Sequence, residues 1–300
     1  MKTLDTPTFS IVIPTYNRPA QLNVCLQACA RLDYPDDRFE VIVVDDGGSS
    51  SLDAMAARFH GVLKLKLLRQ ENAGPAAARN KGASEATGEY LAFTDDDCAP
   101  ESNWLQELAS QFSVSPDCVV GGQTINALSD NIYSTASQLL ISYLYSYYNA
   151  TPDQARFFTS NNLALPADRF RSVGGFDTSY PLAAGEDREL CDRWLHLGHR
   201  MAYAQGAMVY HAHPLTFTTF LRQHFHYGRG AYCFHQIRAR RGNRRIKIEP
   251  LSFYRNMLVY PFSRTRGGWA LILALSLVIA QVANAAGFFF EKTNALMTLR

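Results

Sequence analysis

The stretch Phe93-Thr94-Asp95-Asp96-Asp97-Cys98 places three consecutive carboxylates directly after a short apolar run that begins at Tyr90. Thr87-Gly88-Glu89 precedes that run, so the pattern predicts a turn, a buried strand over 90–93 and an acidic loop. Adjacent negative charges repel one another, and a chain keeps them together where water screens them or a cation neutralises them. The loop is therefore either a solvated turn or a cation site at a strand end.

The two interpretations of the acidic loop, a cation site and a solvated turn, make different structural predictions. Alternate side chains of an extended segment point the same way, so Asp95 and Asp97 can converge on one ion while Asp96 faces elsewhere. Mg²⁺ and Mn²⁺ prefer carboxylate oxygens and complete their shell with phosphate and water, which favours a cation that holds a diphosphate. In the alternative, the aspartates cap a helix predicted over 100–110, whose dipole attracts negative charge.

Strand and helix patterns alternate on the N-terminal side of this loop. Apolar strands are predicted from Phe9 to a stop at Pro14, over 39–44 and over 62–68, with helices opening at Pro19 and covering 76–86. This alternation is typical of an α/β fold with a mostly parallel central sheet and right-handed crossovers. Ligands of such sheets bind beyond the carboxyl ends of the strands, where Asp45, Asp46 and the acidic loop fall.

Further strands are predicted beyond the loop, over 119–122, 158–165 and 201–209, with a helix over 134–149. The strand over 158–165 contains Asn162. Asparagine is disfavoured at a strand centre, so its amide must find hydrogen-bond partners in the fold.

The composition is that of a globular protein with some membrane contact: 300 residues, 47% of them hydrophobic and 19% charged. Six cysteines are scattered without a C-x-x-C pair, which favours reduced, buried thiols and a cytosolic body. The N-terminal region carries no signal-peptide pattern. The net charge of +2 hides an asymmetry, because 11 Lys and Arg lie between Arg222 and Arg266 against the single acid Glu249.

The C-terminal part predicts membrane contact. Residues 269–290 carry no charge and are long enough to cross a bilayer as one helix, the alternatives being a hairpin or a helix lying on the surface. Gln281, Asn284 and Gly287 recur at helical spacing, so this face is expected to meet another helix. The basic residues over 236–268 are expected to bind anionic lipid headgroups, since no nucleic-acid module accompanies them. The positive-inside bias then leaves the large N-terminal part in the cytoplasm, at the inner membrane.

A series of short motifs resembles the family 2 glycosyltransferases of the GT-A fold. In chain order they are Ile-Pro-Thr-Tyr-Asn-Arg at 13–18, Val-Val-Asp-Asp-Gly at 43–47, Asn-x-Gly-x-x-x-Ala-Arg-Asn at 72–80, Phe-Thr-Asp-Asp-Asp at 93–97, Gly-Gly-Phe-Asp at 174–177 and Gly-Glu-Asp at 185–187. The resemblance covers roughly residues 8–235 and implies a GT-A catalytic domain over 1–235. Charge and hydropathy predict the rest of the chain, with a basic juxtamembrane segment over 236–268 and a transmembrane helix over 269–290.

The resemblance also implies which residues bind the nucleotide-sugar donor. The nucleobase of the donor is expected to stack on Tyr16 and to donate an N–H hydrogen bond to Asp46 or Asp45. The other positions implied for the donor are Pro14, Asn17, Arg18, Asn72, Gly74, Arg79 and Asp96, with Gln223 and Arg229 closing over the diphosphate. Gly48 is a departure from the family pattern, because it stands where the commoner Asp-Asp-Gly-Ser has serine.

Catalytic roles follow from the chemistry of inverting sugar transfer. One carboxylate must take the proton of the acceptor hydroxyl while a divalent cation, Mg²⁺ or Mn²⁺, stabilises the departing diphosphate. Asp187 is the expected base and Glu186 the second candidate, although this pair could also cap a helix. Asp95 and Asp97 are the expected metal ligands. His211 matches a histidine that approaches the metal in similar enzymes, the alternative being a structural histidine.

The sequence thus predicts an inverting glycosyltransferase that moves a sugar from a nucleotide-diphosphate-sugar to a lipid-linked or cell-envelope glycan. Two other functions stay open. A nucleotidyltransferase would share the sheet and the acids but needs a glycine-rich basic loop after the first strand, where Pro-Thr-Tyr-Asn-Arg stands. A noncatalytic sugar- or lipid-binding membrane protein is the other, and the presence of Asp95, Asp97 and Asp187 argues against it.

Overall fold

The computed structural model describes residues 6–180, 184–242 and 249–298. Within these residues the chain forms two compact units. The first comprises the described parts of Met1–Ile125, Tyr148–Thr178 and Asp187–Ala212, and the second those of Asn126–Tyr147, Ser179–Glu186 and His213–Arg300. Much of the basic run over 238–247 lies outside the described residues, since 243–248 are not among them.

A single mixed sheet organises the first unit, with eight strands in the order β3-β2-β1-β4-β7-β6-β8-β5 among the described residues. The strands are β1 (Phe9–Thr15), β2 (Phe39–Asp46), β3 (Leu65–Gln70), β4 (Tyr90–Thr94), β5 (Cys98–Pro100), β6 (Val119–Asn126), β7 (Asn162–Pro166) and β8 (Met201–His211). The predicted parallel arrangement is confirmed for β3, β2, β1 and β4. The pairs β4–β7, β6–β7 and β5–β8 are antiparallel, so the second half makes the sheet mixed.

Helices cover the sheet of the first unit and connect its strands. They are α1 (Pro19–Cys29), α2 (Asp53–Ala57), α3 (Pro75–Ser84), α4 (Trp104–Val114), α6 (Ala167–Ser172) and α7 (Glu186–His196). The first residue of α7, Glu186, is assigned to the second unit, as is α5 (Ile132–Tyr148) except for its last residue. β1 and β2 are buried along their whole length, as the β-branched runs predict. Contrary to expectation, Pro14 does not end the first strand, which continues to Thr15 in register with Asp45.

The region after the acidic loop differs from the prediction of a helix over 100–110. Cys98–Pro100 forms β5 instead, and the following helix begins at Trp104 with Asn103 at its N-cap and no side-chain capping bond. The aspartates therefore do not cap this helix. Their alternative reading as a helix cap was wrong because edge pairing of β5 with β8 takes precedence over local helix propensity.

Asn162 has the partners that its place in a strand requires. Its side chain is fully buried, accepts a hydrogen bond from Trp104 Nε1 (2.9 Å) and donates to the carbonyls of Gln123 (3.0 Å) and Ala207 (2.9 Å). One amide thus ties three elements of the first unit together, which offsets the cost of its burial.

The second unit is helical and contains α5, α8 (Phe217–Arg240), α9 (Leu251–Arg264) and α10 (Gly268–Thr298). Two apolar clusters hold it together. Ala136, Phe220, Leu273 and Ala280 form one, and Leu140, Tyr143, Phe253, Met257 and Leu277 form the other. Both clusters take residues from α10. Of the described helices, only α10, over Gly268–Met297 with a mean hydropathy of 2.0, is long and apolar enough to cross a membrane.

Candidate active site

The acidic loop lies where the direction of the strand order reverses. The chain builds β1, β2 and β3 outward to one side and then adds β4 on the other side of β1. The carboxyl ends of β1 and β4 therefore meet, which is where open α/β sheets bind ligands. Thr15 Oγ1 at the end of β1 donates to Asp96 Oδ2 (2.7 Å), and Arg18 Nη1 lies 3.3 Å from Asp96 Oδ1 and 3.1 Å from Asp97 Oδ2.

Asp96 points toward the end of β1, but residues 95–97 form a turn rather than the extended segment that the predicted alternation of side chains requires. Burial raises the pKa of this carboxyl to about 6; Thr15 and Arg18 counteract the rise, whereas Asp97 and Asp95 add to it. The three acids thus still repel one another in the presence of Arg18. An additional cation beside them would lower this repulsion.

Asp97 and His211 are brought together by strand pairing. Antiparallel pairing sets Cys98 of β5 opposite His211 of β8, and His211 Nε2 then lies 3.2 Å from Asp97 Oδ1. Burial by itself would lower the pKa of His211, but the hydrogen bond and the charge of Asp97, with the charge of Asp95, raise it overall. Asp97 and His211 are close enough to share one cation.

Asp95 is held by a buried arginine. Arg79 Nη2 donates to Asp95 Oδ1 (2.7 Å), and the guanidinium carbon of Arg79 lies 5.6 Å from the ring centroid of Phe176. Asn80 fixes Phe176 by bonding both its backbone N–H and its carbonyl (2.8 Å each). Arg193 of α7 donates to the carbonyls of Val173 and Gly175. This series of contacts connects α7, which Glu186 and Asp187 open, with the acidic loop.

The two aspartates at the end of β2 have different surroundings. Asp46 accepts four hydrogen bonds, from Gln70 Nε2 (2.7 Å), Asn72 Nδ2 (3.3 Å), Ala73 N (2.9 Å) and Gly74 N (2.9 Å). A carboxylate has about four acceptor sites, so Asp46 has little capacity left for a ligand. It fastens the 72–74 loop to the start of α3, where a negative charge is stabilised by the helix dipole.

Among the described residues, Asp45 Oδ2 accepts no hydrogen bond and has only a distant cation beside it. Its Oδ1 accepts from Gly48 N (2.8 Å), and the nearest cation to its Oδ2 is Arg69 Nε at 4.0 Å. Of the two candidates for accepting a base N–H, Asp45 is therefore the one with a free acceptor. Gly48 itself allows the close turn, because a Cβ there would lie 2.6 Å from Asp45 Oδ1.

The loop after β1 presents the predicted aromatic side chain. Tyr16 is 50% exposed, which leaves its ring face available for stacking. Asn17 has a left-handed backbone (φ 55°), and its Oδ1 accepts from Ser49 N (2.7 Å), which joins this loop to the one after β2. Pro14 is buried inside β1, so its ring supports the strand rather than forming an exposed wall.

Asp187 and Glu186 begin α7, as expected for the motif. Glu186 is buried, whereas Asp187 is half-buried and its Oδ1 accepts from Arg188 N (2.7 Å). Asp187 thus has the greater solvent access that a proton acceptor needs.

Two further predicted donor residues belong to the second unit. Gln223 donates to Ser137 Oγ (2.9 Å) and Tyr227 Oη (2.8 Å) and lies 3.1 Å from His213 Nε2. Arg229 forms an ion pair with Glu291 of α10 and lies over the Phe290 ring at 5.5 Å. In this conformation Arg229 is engaged by α10 rather than facing open solvent.

Sequence reasoning missed three polar residues beside the predicted ones: Thr15, which bonds Asp96, and Arg69 and Gln70, which neighbour the β2 acids. The third strand was predicted over 62–68 but runs over Leu65–Gln70, so its last two residues fell outside the predicted element. A polar pair at the carboxyl end of a parallel strand was the available signal.

The donor set fits a hard divalent cation. Asp97 offers buried carboxylate oxygens beside His211, and Asp95 keeps a side chain that is 29% exposed. Carboxylates with one imidazole suit Mg²⁺ or Mn²⁺ that keeps further positions for phosphate and water.

The mixed sheet, with an aromatic side chain and two groups of aspartates at the carboxyl ends of its parallel strands, has the architecture of the GT-A fold. The same fold occurs in a mannosyltransferase from Pyrobaculum calidifontis in complex with GDP-Man and Mn²⁺ (TM-score 0.63, 18% identity, covering 99% of this chain and 82% of that one). It occurs also in S. aureus TarS in complex with UDP-GlcNAc (TM-score 0.55, 17% identity, 96% and 92%).

The chain belongs to glycosyl transferase family 2, whose sequence model matches residues 10–172. It is 29% identical over 228 residues to the glycosyltransferase AglE of Haloferax volcanii, a match that covers 75% of this chain and 73% of that protein. It is 28% identical to a chondroitin synthase of Escherichia coli, covering 68% of this chain and 34% of the synthase. These relatives support a glycosyltransferase activity.

Proposed function

We propose that this glycosyltransferase moves a sugar, with inversion at the anomeric carbon, from a nucleotide-diphosphate-sugar to a lipid-linked or cell-envelope glycan. The observation that carries the proposal is the meeting of Tyr16, Asp45 and the acidic loop at one edge of the sheet. This edge combines a stacking ring, an acceptor for a base N–H and carboxylates for a cation, which are the needs of a nucleoside diphosphate. GDP-Man and UDP-GlcNAc in the structural neighbours support this donor class.

In the proposed mechanism the chain's own residues bind and orient the donor. Tyr16 stacks on the base, Asp45 accepts from its edge, and Arg18 with Arg79 hold the acids of the loop in place. A divalent cation bound by Asp97 and Asp95, with His211 beside it, would neutralise the diphosphate as it departs. Asp187 takes the proton of the acceptor hydroxyl, and the half-buried position of its carboxylate at the start of α7 suits that role.

The acceptor and the location follow from the C-terminal segment. The apolar helix α10 would hold the enzyme at a membrane, either across the bilayer or along its surface, with the catalytic unit on the cytoplasmic side of the inner membrane. A membrane-held transferase gains most from an acceptor that is itself in the membrane. This favours a lipid-linked or cell-envelope glycan over a soluble one.

The proposal is tested by the release of nucleoside diphosphate from UDP- and GDP-sugars, with Mn²⁺ and membranes as the source of acceptor. Asp187→Asn is expected to reduce turnover by at least about 100-fold while leaving donor binding intact, since a positioned base contributes that much. Asp168→Asn is the matched control, because the Asp168 side chain is almost wholly exposed on α6. Chelation with EDTA should abolish release and Mn²⁺ or Mg²⁺ should restore it.

Two results would contradict the proposal. Equal release of nucleoside diphosphate by the wild type and by Asp187→Asn would show that Asp187 is not the catalytic base. Retention of the anomeric configuration in the product, read by NMR coupling constants, removes inversion. Release of inorganic pyrophosphate in place of nucleoside diphosphate would favour the nucleotidyltransferase, and donor binding without turnover in the wild type would favour the noncatalytic protein.

A further inference from the structure

The long apolar helix α10 has two opposite faces with different surroundings. Its buried face carries Leu273, Leu277 and Ala280, each at most 2% exposed. Leu273 and Ala280 pack with Ala136 of α5 and Phe220 of α8, and Leu277 packs with residues of α5 and α9. The N-terminal half of α10 is therefore a core helix of the second unit.

The C-terminal half of α10 packs against α8 at backbone distance. A Cβ added to Gly228 would lie 1.8 Å from the carbonyl oxygen of Asn284, and one added to Gly287 would lie 1.9 Å from that of Phe225. Glu291 pairs with Arg229 one turn further along α10. The small and polar face that the sequence predicts to meet another helix thus meets α8 of the same chain.

These contacts oppose a transmembrane orientation. From Leu273 to Glu291 the packed face extends over 19 residues. This is roughly 27 Å of helix, nearly the thickness of the hydrocarbon core. A crossing α10 would carry α8 into lipid with it, including the exposed Arg222 and the half-buried His226. Ionisable side chains are costly there unless they face a water-filled cavity or partners.

The opposite face of α10 is an exposed apolar stripe. It consists of Leu271, Leu275, Val278, Val282, Phe289 and Leu296, which are 41–65% exposed. Their spacing of three, four or seven residues aligns them along one side of the helix, facing away from Leu273, Ala280 and Gly287. A continuous apolar surface of this length is unusual on a soluble protein and marks a docking site.

Exposed basic side chains lie near both ends of α10 and on α9. Arg264 and Arg266 are exposed where α9 ends and α10 begins, Arg255 is exposed on α9, and Lys292 is exposed near the C-terminal end of α10. Arg255 lies on the same side of α9 as the exposed Val259 and Phe262, opposite the buried Phe253 and Met257. An apolar stripe bordered by arginines and lysine complements an anionic lipid surface, with the apolar residues at acyl depth and the cations among the headgroups.

We propose that α10 does not cross the bilayer but lies along it, with the stripe Leu271–Leu296 buried in the interface of an anionic membrane. The inference rests on the proposed membrane location and refines it: the second unit is a monotopic docking module. A second copy of the chain is the competing occupant of the stripe, and a parallel pairing of two α10 helices would place Arg264 and Arg266 of both copies near one another.

Vesicle binding tests the stripe. The purified full chain is mixed with vesicles of phosphatidylcholine alone or with phosphatidylglycerol, and the bound fraction is measured by flotation. Replacing two stripe residues, Leu275→Glu and Val282→Glu, should reduce partition into anionic vesicles at least about tenfold per substitution, because each removes a buried aliphatic side chain. Val114→Glu, on the exposed surface of α4, is the matched control and should bind as the wild type does.

Topology is tested by cysteine labelling in inside-out membrane vesicles. Ser263→Cys precedes α10 and Met297→Cys lies in its last turn. The two substitutions are introduced one at a time into a Cys233→Ser background, since the other native thiols are buried. A membrane-impermeant maleimide should label both positions without detergent. Labelling of Met297→Cys only after detergent would overturn the proposal in favour of a span.

Dimerisation through the stripe is the other outcome that would contradict membrane docking. If the wild type is a dimer by light scattering and the glutamate variants are monomers with unchanged vesicle binding, the stripe is a protein interface and the proposal fails. Turnover of donor in the presence of detergent is measured for the same proteins. Loss of turnover in a wild type that still binds vesicles would refute the proposed catalysis alone, while the docking inference would stand.

Discussion

The two aspartates that end β2 provide the sharpest test of the site, because their replacement by asparagine should separate stability from donor binding. Each oxygen of Asp46 serves one backbone N–H and one side-chain amide. In Asp46→Asn the new NH₂ group must face one of the two backbone donors, Ala73 N or Gly74 N, neither of which can turn around. The loss of a charge-assisted hydrogen bond together with a poorly paired N–H corresponds to about 2–4 kcal/mol.

Asp45→Asn should behave in the opposite way. The asparagine oxygen can still accept the single bond from Gly48 N, so the free energy of unfolding should change by less than about 1 kcal/mol. Its other atom would be an NH₂ group that repels a base N–H, and nucleotide affinity should fall roughly 10- to 100-fold, as expected for a lost hydrogen bond to a charged acceptor.

Urea denaturation followed by circular dichroism measures the free energy of unfolding. Calorimetric titration with UDP or GDP in the presence of Mn²⁺ measures the nucleotide affinity. The reasoning is refuted if Asp46→Asn unfolds like the wild type but no longer binds nucleotide. It is refuted equally if Asp45→Asn binds nucleotide with unchanged affinity.

Two further predictions concern the second unit. Burial lowers the pKa of His224 from 6.5 to about 4. As the pH falls from 6.5 toward 4, this histidine is therefore protonated in the unfolded chain but remains neutral in the folded one. About 3 kcal/mol of folding free energy is therefore present above pH 6.5 and lost on acidification. In denaturant titrations between pH 4 and 8, His224→Leu should remove this loss of stability, whereas the exposed control His60→Leu should keep it. Gly228→Ala should destabilise the α8–α10 packing by about 1–3 kcal/mol or more, because its Cβ meets a backbone oxygen. Gly268→Ala, where a Cβ meets nothing within 4 Å, is the control, and equal melting temperatures for the two variants would contradict the close crossing.

Local patterns predicted the parallel half of the sheet and the position of the acids because both depend on short segments. A β-branched run buried on both faces must pair on both edges, and a parallel strand needs a crossover helix, so the order strand, helix, strand follows from residues 9–94. The acidic loop itself indicated Asp95 and Asp97, the resemblance added Asp45, and all three follow the carboxyl ends of β2 and β4.

The tertiary structure decided what depends on partners distant along the chain. The hydrogen-bond acceptor sites of Asp46 are occupied by residues 24–28 positions away along the chain. The pairing of Asp97 with His211 requires the β5–β8 register. The two faces of α10 differ because α5, α8 and α9 cover only one of them. Hydropathy measures how apolar a helix is and not what covers it. The sequence by itself therefore determined that α10 is apolar, and only the packing decided that half of its surface already belongs to the core.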